Sequence, residues 1–282
     1  MEKFSTWRDK ATGISPFMPI QPPQQPWYQK LAKLIVFIVR LPLFLATILI
    51  YGILPLKAIA RFVLLTLFGL KNLQIIVDGV KRSNSMGILL NLPKEGDIIF
   101  CNYISPLDGY IFQMISKAKF IILVPDENGK LYKFTPWSLF NFTFKPRYNS
   151  KPIDNLQQYK DRAIFILLEG TTTNNKGLLP FINIESYKFD SFVIKSMIVK
   201  INPSYYTLPI PYISKWRYFY LLLSNFNVVN HYIKAKIYLY QKFDIKQIRN
   251  SFEINQINPV SLSIEDKTKF ITYYQNFKVK KD

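Results

Sequence analysis

From Leu31 to Leu70 the chain is almost continuously apolar, and charge interrupts it only at Lys33, Arg40, Lys57 and Arg61. Leu41–Leu56 carries no charge at all. A helix that crosses a bilayer needs about 20 apolar residues, and Leu34–Leu56 reaches that length if Arg40 faces a headgroup or snorkels. Pro42 and Pro55 are candidate kinks, and Phe62–Leu70 is too short to span. Two arrangements follow. One is a transmembrane helix followed by an interfacial amphipathic helix. The other is a re-entrant hairpin turning near Tyr51–Pro55. A pair of buried core helices is the alternative that needs no membrane. Lys and Arg flank the segment on both sides, so charge bias does not set its orientation.

The flanks differ from it and from each other. Residues 1–30 are polar and rich in proline, with Pro16, Pro19, Pro22, Pro23 and Pro26 barring a continuous helix, and they read as an extended arm. The apolar run begins too far from Met1 for a secretory signal. Residues 71–282 change to short β-branched runs between polar segments. Leu73–Val80, Asp97–Cys101, Phe120–Val124, Ala163–Leu168, Phe192–Ile201 and Val228–Tyr240 read as strands. Leu107–Ser116, Pro136–Phe142, Ile153–Asp161, Trp216–Leu223 and Ile264–Phe277 read as helices. Strands alternating with helices predict an α/β domain with a mixed sheet flanked by helices.

Composition narrows the chemistry. One cysteine, Cys101, excludes an intrachain disulfide, and one histidine, His231, excludes a multi-histidine metal site. The formal charge of +19 favours anionic partners. The basic residues are dispersed and form no nucleic-acid motif, so a phospholipid surface or a phosphorylated metabolite is expected and nucleic acid is not.

In an α/β sheet, functional groups gather beyond the carboxyl ends of the strands. Two segments with unusual chemistry sit there. One is Cys101-Asn102-Tyr103-Ile104-Ser105-Pro106-Leu107-Asp108, where Ser105 or Asp108 could simply cap the next helix. The other is Leu168-Glu169-Gly170-Thr171-Thr172-Thr173, either a polar ligand site or an ordinary turn.

Together these segments resemble the glycerolipid acyltransferase family typified by 1-acylglycerol-3-phosphate acyltransferases, with its N-H-x-S-x-x-D and E-G-T-R motifs. Asn102, Ser105 and Asp108 match the first, and Glu169, Gly170 and Thr171 the second. Pro180-Phe181 and Leu208-Pro209-Ile210-Pro211 match later motifs. The opening, with Trp7-Arg8-Asp9, Thr12-Gly13-Ile14 and Pro16-Phe17, resembles the fungal lysophosphatidic acid:oleoyl-CoA acyltransferase branch. The resemblance implies a membrane-bound enzyme that transfers an acyl group from acyl-CoA, a co-substrate, to lysophosphatidic acid, with no other cofactor and no metal. It implies a catalytic set of Asp108, Tyr103, Ser105 and Asn102. It also implies a substrate-binding set of Glu169, Gly170, Thr171, Thr172 and Pro209. Two departures stand out. The motif histidine, the family's general base, is Tyr103, a phenol with a usual pKa of about 10. The motif arginine is Thr172, leaving Lys176, Lys145 and Arg147 as substitute phosphate ligands.

Asp108 could act as base directly, His231 could enter from a distant strand, or Cys101 could carry the acyl group. Tyr103 could donate to the thioester carbonyl. The alternative function is a catalytically impaired relative serving as a lipid-binding or scaffolding module. The expected location is the endoplasmic reticulum membrane, with the lipid droplet as a second site and the globular domain cytosolic. The ending Lys278-Val279-Lys280-Lys281-Asp282 fits a dilysine address.

Overall fold

The computed structural model describes residues 4–225 and 231–279. The dilysine pattern runs past them, and residues 228–230 of the last expected long strand also lie outside.

Among the described residues ten strands form: β1 Asn72–Val77, β2 Asp97–Cys101, β3 Phe120–Pro125, β4 Leu131–Phe134, β5 Pro152–Ile153, β6 Ala163–Leu167, β7 Gly177–Leu178, β8 Val193–Asn202, β9 Tyr232–Tyr240 and β10 Asn258–Pro259. Eight of them make the central mixed sheet, in the order β1-β9-β8-β2-β6-β3-β4-β5, and β7 and β10 pair in a small ladder of their own. β8, β2, β6 and β3 run parallel, whereas β9 and β4 are antiparallel to their inner neighbours. β2 and β6 are buried along their whole length because both sheet faces are covered, which is why they read as unbroken apolar runs.

The helices are α1 Trp27–Ile53, α2 Lys57–Arg61, α3 Ser85–Asn91, α4 Asp108–Ile115, α5 Pro136–Phe144, α6 Lys215–Leu223, α7 Ile245–Ile254 and α8 Ile264–Val279. One face of the sheet packs on α1, α4, α5 and α6, and the other packs on α7. The mixed α/β expectation therefore holds. Ile153–Asp161 is not a helix. Its first residue closes β5, and Leu156–Tyr159 is a single 3₁₀ turn. Asn155 Oδ1 accepts from Gln157 N (2.9 Å) and Tyr187 Oη donates to Ile153 O (2.8 Å), bonds that divert the backbone from a helical path. The helices α3 and α7 and the strand β4 were not expected.

The apolar segment forms a hairpin. α1 is long and apolar enough to cross a membrane by length and composition. The chain turns at residues 54–56 and returns through α2 and a π-helical turn at Phe62–Leu67. α1 lies along the domain: Phe37 meets Tyr220, and Phe44 meets Phe68 and Phe219. Arg40 does not snorkel. Its Nη1 donates to Leu67 O, Leu223 O and Asn225 O at 3.1, 3.2 and 2.5 Å, capping α6 and the returning turn together. The rest of α1 leaves Leu34, Ile35, Ile38, Val39, Leu49 and Ile53 exposed.

The proline-rich arm packs on the domain. The Asp9 carboxylate accepts from Thr12 and from both Ser261 N and Ser261 Oγ, bonds that hold it well below the usual carboxylate range. Phe17 is buried against Phe270 of α8.

Candidate active site

Asp108 opens α4 directly beyond the carboxyl end of β2. It does not cap that helix. The carboxylate turns back, and Oδ2 accepts from Ile104 N (2.7 Å) and Ser105 N (3.0 Å). Oδ1 is buried and, among the described residues, has no hydrogen-bond partner. Burial pushes the Asp108 pKa up to about 7, against the two backbone bonds that lower it. A carboxyl group half-ionised at neutral pH, with one oxygen uncommitted, is chemically suited to take and return a proton.

Tyr103 does not reach that oxygen. Its phenol enters the core, where Oη bonds to Thr143 Oγ1 of α5 (2.7 Å) and, at 3.4 Å, to Leu139 O. Thr143 Oγ1 itself donates to Leu139 O (3.0 Å), so the phenol proton is directed to Thr143. Burial, reinforced by the charge of Asp108, raises the phenol further above its usual pKa. Tyr103 thus offers neither a base nor a donor to a thioester.

Asn102 and Ser105 brace the loop. Asn102 reaches across to β8, accepting from Val199 N and donating to Val199 O, both at 2.8 Å, and it also donates to Asn175 Oδ1 at 2.8 Å. Ser105 Oγ bonds to Tyr206 O (3.2 Å) and Tyr218 Oη (3.0 Å) and accepts from Leu107 N (3.2 Å).

The second motif lies against the first. Glu169 Oε1 accepts from Tyr103 N (3.2 Å) and Oε2 from Leu179 N (3.1 Å), and Thr173 N donates to Tyr103 O (2.9 Å). Gly170 adopts φ +64°, and a Cβ there would stand 2.6 Å from Ile182 Cδ1 and 3.0 Å from Pro125 O. Only glycine meets both demands. Leu208 N donates to Ile104 O (2.9 Å), and Pro209 O accepts from Thr172 Oγ1 (3.2 Å). The late motif at residues 208–211 therefore ties both loops, and Asp108 and Glu169 within those motifs are buried.

The expected phosphate ligands do not converge here. Lys145 and Arg147 stand exposed after α5, and Lys176 is exposed beyond the second loop. Lys267 of α8 enters instead. Its Nζ donates to Thr171 Oγ1 (2.6 Å), Thr172 O (2.8 Å) and Thr172 Oγ1 (2.9 Å), and only 6% of the residue is exposed. Burial lowers its pKa and raises that of Glu169, and each group partly offsets the shift of the other. Nothing in the sequence singled out Lys267, because α8 lies far along the chain from the loop it enters. His231 pairs with Asn225 Nδ2 through Nδ1 (2.5 Å) at the start of β9 and does not reach Asp108. Cys101 is buried, and that burial pushes its thiol well above the usual range, the opposite of an activated nucleophile.

Beside the first motif, an apolar cavity of about 910 Å³ opens between the hairpin and α4–α5, lined in part by Phe44, Ile48, Leu64, Phe68, Leu107 and Phe140. The hairpin is fastened to α4 around it. Tyr51 Oη donates to Gln113 Oε1 (2.6 Å), Gln113 Nε2 to Pro55 O (3.0 Å) and Lys57 Nζ to Ser116 O (2.7 Å).

Comparison with known proteins agrees with the motif reading. The lysophosphatidic acid:oleoyl-CoA acyltransferase 1 of Saccharomyces cerevisiae is 29% identical over 72% of this chain and 68% of its own. A Schizosaccharomyces pombe protein that carries the same activity name provisionally is 25% identical over 81% of this chain and 82% of its own. The chain is related to these acyltransferases. No protein-family model matches it. The crystal structure of the 1-acyl-sn-glycerophosphate acyltransferase of Thermotoga maritima overlaps 81% of this chain and 94% of that one, with 15% identity and a TM-score of 0.33. That superposition is too loose to carry an argument.

Proposed function

We propose that this chain is a membrane-bound, acyl-CoA-dependent lysophosphatidic acid acyltransferase that forms phosphatidic acid. The observation that carries the reading is the uncommitted Oδ1 of Asp108, which belongs to a carboxyl group poised near neutrality beside a large apolar cavity. The yeast relatives bear the matching activity name. The cavity volume lies within the range of about 300–1,000 Å³ found for small-molecule sites, and its lining suits an acyl chain.

In this mechanism Asp108 Oδ1 takes the proton of the acceptor hydroxyl as its oxygen attacks the thioester carbonyl. The tetrahedral intermediate collapses with loss of the CoA thiolate, and Asp108 returns the proton to that sulfur. Holding both substrates in place supplies much of the acceleration. Glu169, Gly170 and Thr171 shape the glycerol-phosphate end, and Lys267, whose Nζ holds Thr171 and Thr172, positions that loop. Because Asp108 is fully buried, a covering segment must shift to admit the acceptor.

The membrane attachment fits a hairpin that lies in one leaflet. A helix fastened to its own domain from Phe37 to Tyr51 does not stand across a bilayer with the domain outside it. Its exposed face then meets lipid, the globular domain stays on the cytosolic side where acyl-CoA is made available, and a hairpin of this kind suits the endoplasmic reticulum or a lipid droplet monolayer. A globular domain protected from protease in intact microsomes would contradict this placement.

The decisive assay is transfer of a radiolabelled oleoyl group from oleoyl-CoA to lysophosphatidate by membranes from a host without background activity. Wild type should be active and Asp108→Ala inactive at equal abundance. If neither exceeds empty membranes, the buried phenol of Tyr103 becomes the leading observation, and a non-catalytic lipid-binding module becomes the better reading.

A further inference from the structure

The carboxyl edge of the sheet carries a second cluster that the chemistry above leaves unused. The antiparallel register of β8 and β9 sets Lys200 directly opposite Lys234 and Ile198 opposite Lys236. Alternation along the strands places these four side chains on one face. They line a shallow hollow with Asn255, the residue that ends α7.

Like charges directly opposite one another weaken a sheet. Lys236 has partial compensation from Asp78 Oδ1 at 3.3 Å and lies over the Tyr238 ring. Among the described residues, Lys200 Nζ donates to a neutral acceptor alone, Asn255 O (2.6 Å). Among the described residues, no carboxylate forms an ion pair with Lys200 or Lys234. Burial, and then the charge of Lys234, lower the pKa of Lys200. An anion set in the hollow would relieve both effects.

The position is specific. Lys200 follows Val199, whose backbone is gripped by Asn102 of the first motif and Asn175 beyond the second. Ile198 faces the core that contains α7, whereas Val199 faces the core that contains α1. The lysines therefore lie on the sheet face away from the hairpin, at the edge where Asp108 sits. A bilayer that takes the exposed side of α1 is on the wrong face to fill them. A water-soluble donor is not.

We propose that Lys200, Lys234 and Lys236 bind the nucleotide phosphates of acyl-CoA. The thioester then crosses the carboxyl edge of the sheet at Asp108, and the acyl chain enters the apolar cavity on the opposite face. This assignment rests on the acyl-transfer reading and adds the donor subsite to it.

The test is calorimetric titration of the full-length chain in detergent with CoA and, separately, with pantetheine, for wild type and Lys200→Gln/Lys234→Gln. The double variant should bind CoA about tenfold more weakly and pantetheine no differently. Lys234→Gln alone should melt no lower than wild type, because it removes the repulsion and leaves the Lys200–Asn255 bond in place. The double variant should also lose the preference for oleoyl-CoA over oleoyl-pantetheine as donor, read as the ratio of their KM values. Lys234→Gln alone removes none of the bonds described above and repeats the titration without a packing change. Equal CoA affinity in wild type and variants overturns the proposal, as does absence of CoA binding by wild type. Loss of binding to phosphatidylserine vesicles with CoA affinity intact also overturns it, and would reassign the lysines to lipid. Lysine-dependent CoA binding without any acyl transfer would sink the catalytic reading and leave the phosphate site standing.

Discussion

Replacing Asp108 by asparagine separates stability from chemistry. The Asp108 pKa rises from 3.8 to about 7 in the fold, so ionising it there costs about 4 kcal/mol more than in the unfolded chain. The sign follows from the raised value. Below about pH 4 the group is neutral in both states and contributes nothing. Between pH 4 and 7 the unfolded chain ionises first, so stability falls as pH rises, and above pH 7 the full penalty applies. The asparagine side chain would accept the same two amides, from Ile104 and Ser105, through its oxygen and carry no charge. Its NH₂ group would lack an acceptor where Oδ1 stands, but that cost does not vary with pH. Relative to wild type, Asp108→Asn should therefore gain about 4 kcal/mol between pH 4 and pH 8. For a chain of this size that is a relative gain in Tm of about 10 °C. Melting curves of both proteins across that range test the energetics. Transfer assays test the chemistry: wild-type activity should climb through pH 7 as Asp108 ionises, and the variant should have none. A pH-independent difference in Tm, or a variant that still transfers oleate, would refute the assignment of Asp108 as an ionised buried base.

Tyr103→His should bring an imidazole within reach of the free Oδ1 and raise kcat on the order of 10²-fold, at a stability cost of about 1 kcal/mol for the lost Thr143 bond; unchanged kcat counts against the Asp108 geometry. Gly170→Ala forces a side chain onto φ +64° and into Ile182, so it should destabilise the fold by about 2–4 kcal/mol, visible as a lower Tm. Arg40→Leu strips a shared cation from Leu67 O, Leu223 O and Asn225 O, and should cost about 2–4 kcal/mol while exposing the turn at residues 54–56 to protease; resistance equal to wild type would show that the hairpin is held by its apolar contacts alone.

The sequence was most legible where one strand carries its own burial. β2 and β6 are apolar at every position but the first of β2 because both faces are covered, and their limits matched the expectation almost to the residue. The turn of the apolar segment back onto the domain rests on the docking of Arg40 on α6, which joins residues far apart in the chain. Lys267 escaped notice for the same reason. A lysine in the first turn of a polar helix looks solvated until the helix is placed against the second motif. The Lys200–Lys234 opposition is equally silent in sequence, since it depends on the register between two strands. α7 was missed because its face toward the sheet is narrow, with Ile248, Ser251 and Phe252 its only buried residues.

Tyr103 shows how far a motif comparison reaches. The sequence records that a phenol stands where the motif it resembles has a histidine, but not where the phenol goes. In the fold its hydroxyl is absorbed by Thr143, and the Asp108 carboxylate keeps one oxygen free among the described residues. A purely structural role for Asp108 explains only Oδ2, which ties down Ile104 and Ser105, and asparagine would do that without burying a charge. What remains is an ionisable group held at a cost of about 4 kcal/mol, with its second oxygen unpartnered among the described residues. Local cost of this kind concentrates where a protein does chemistry. The energetic penalty at Asp108 is therefore itself an argument that the site still acts on a substrate, and the pH-dependent gain from Asp108→Asn is the measurement in which that penalty becomes visible.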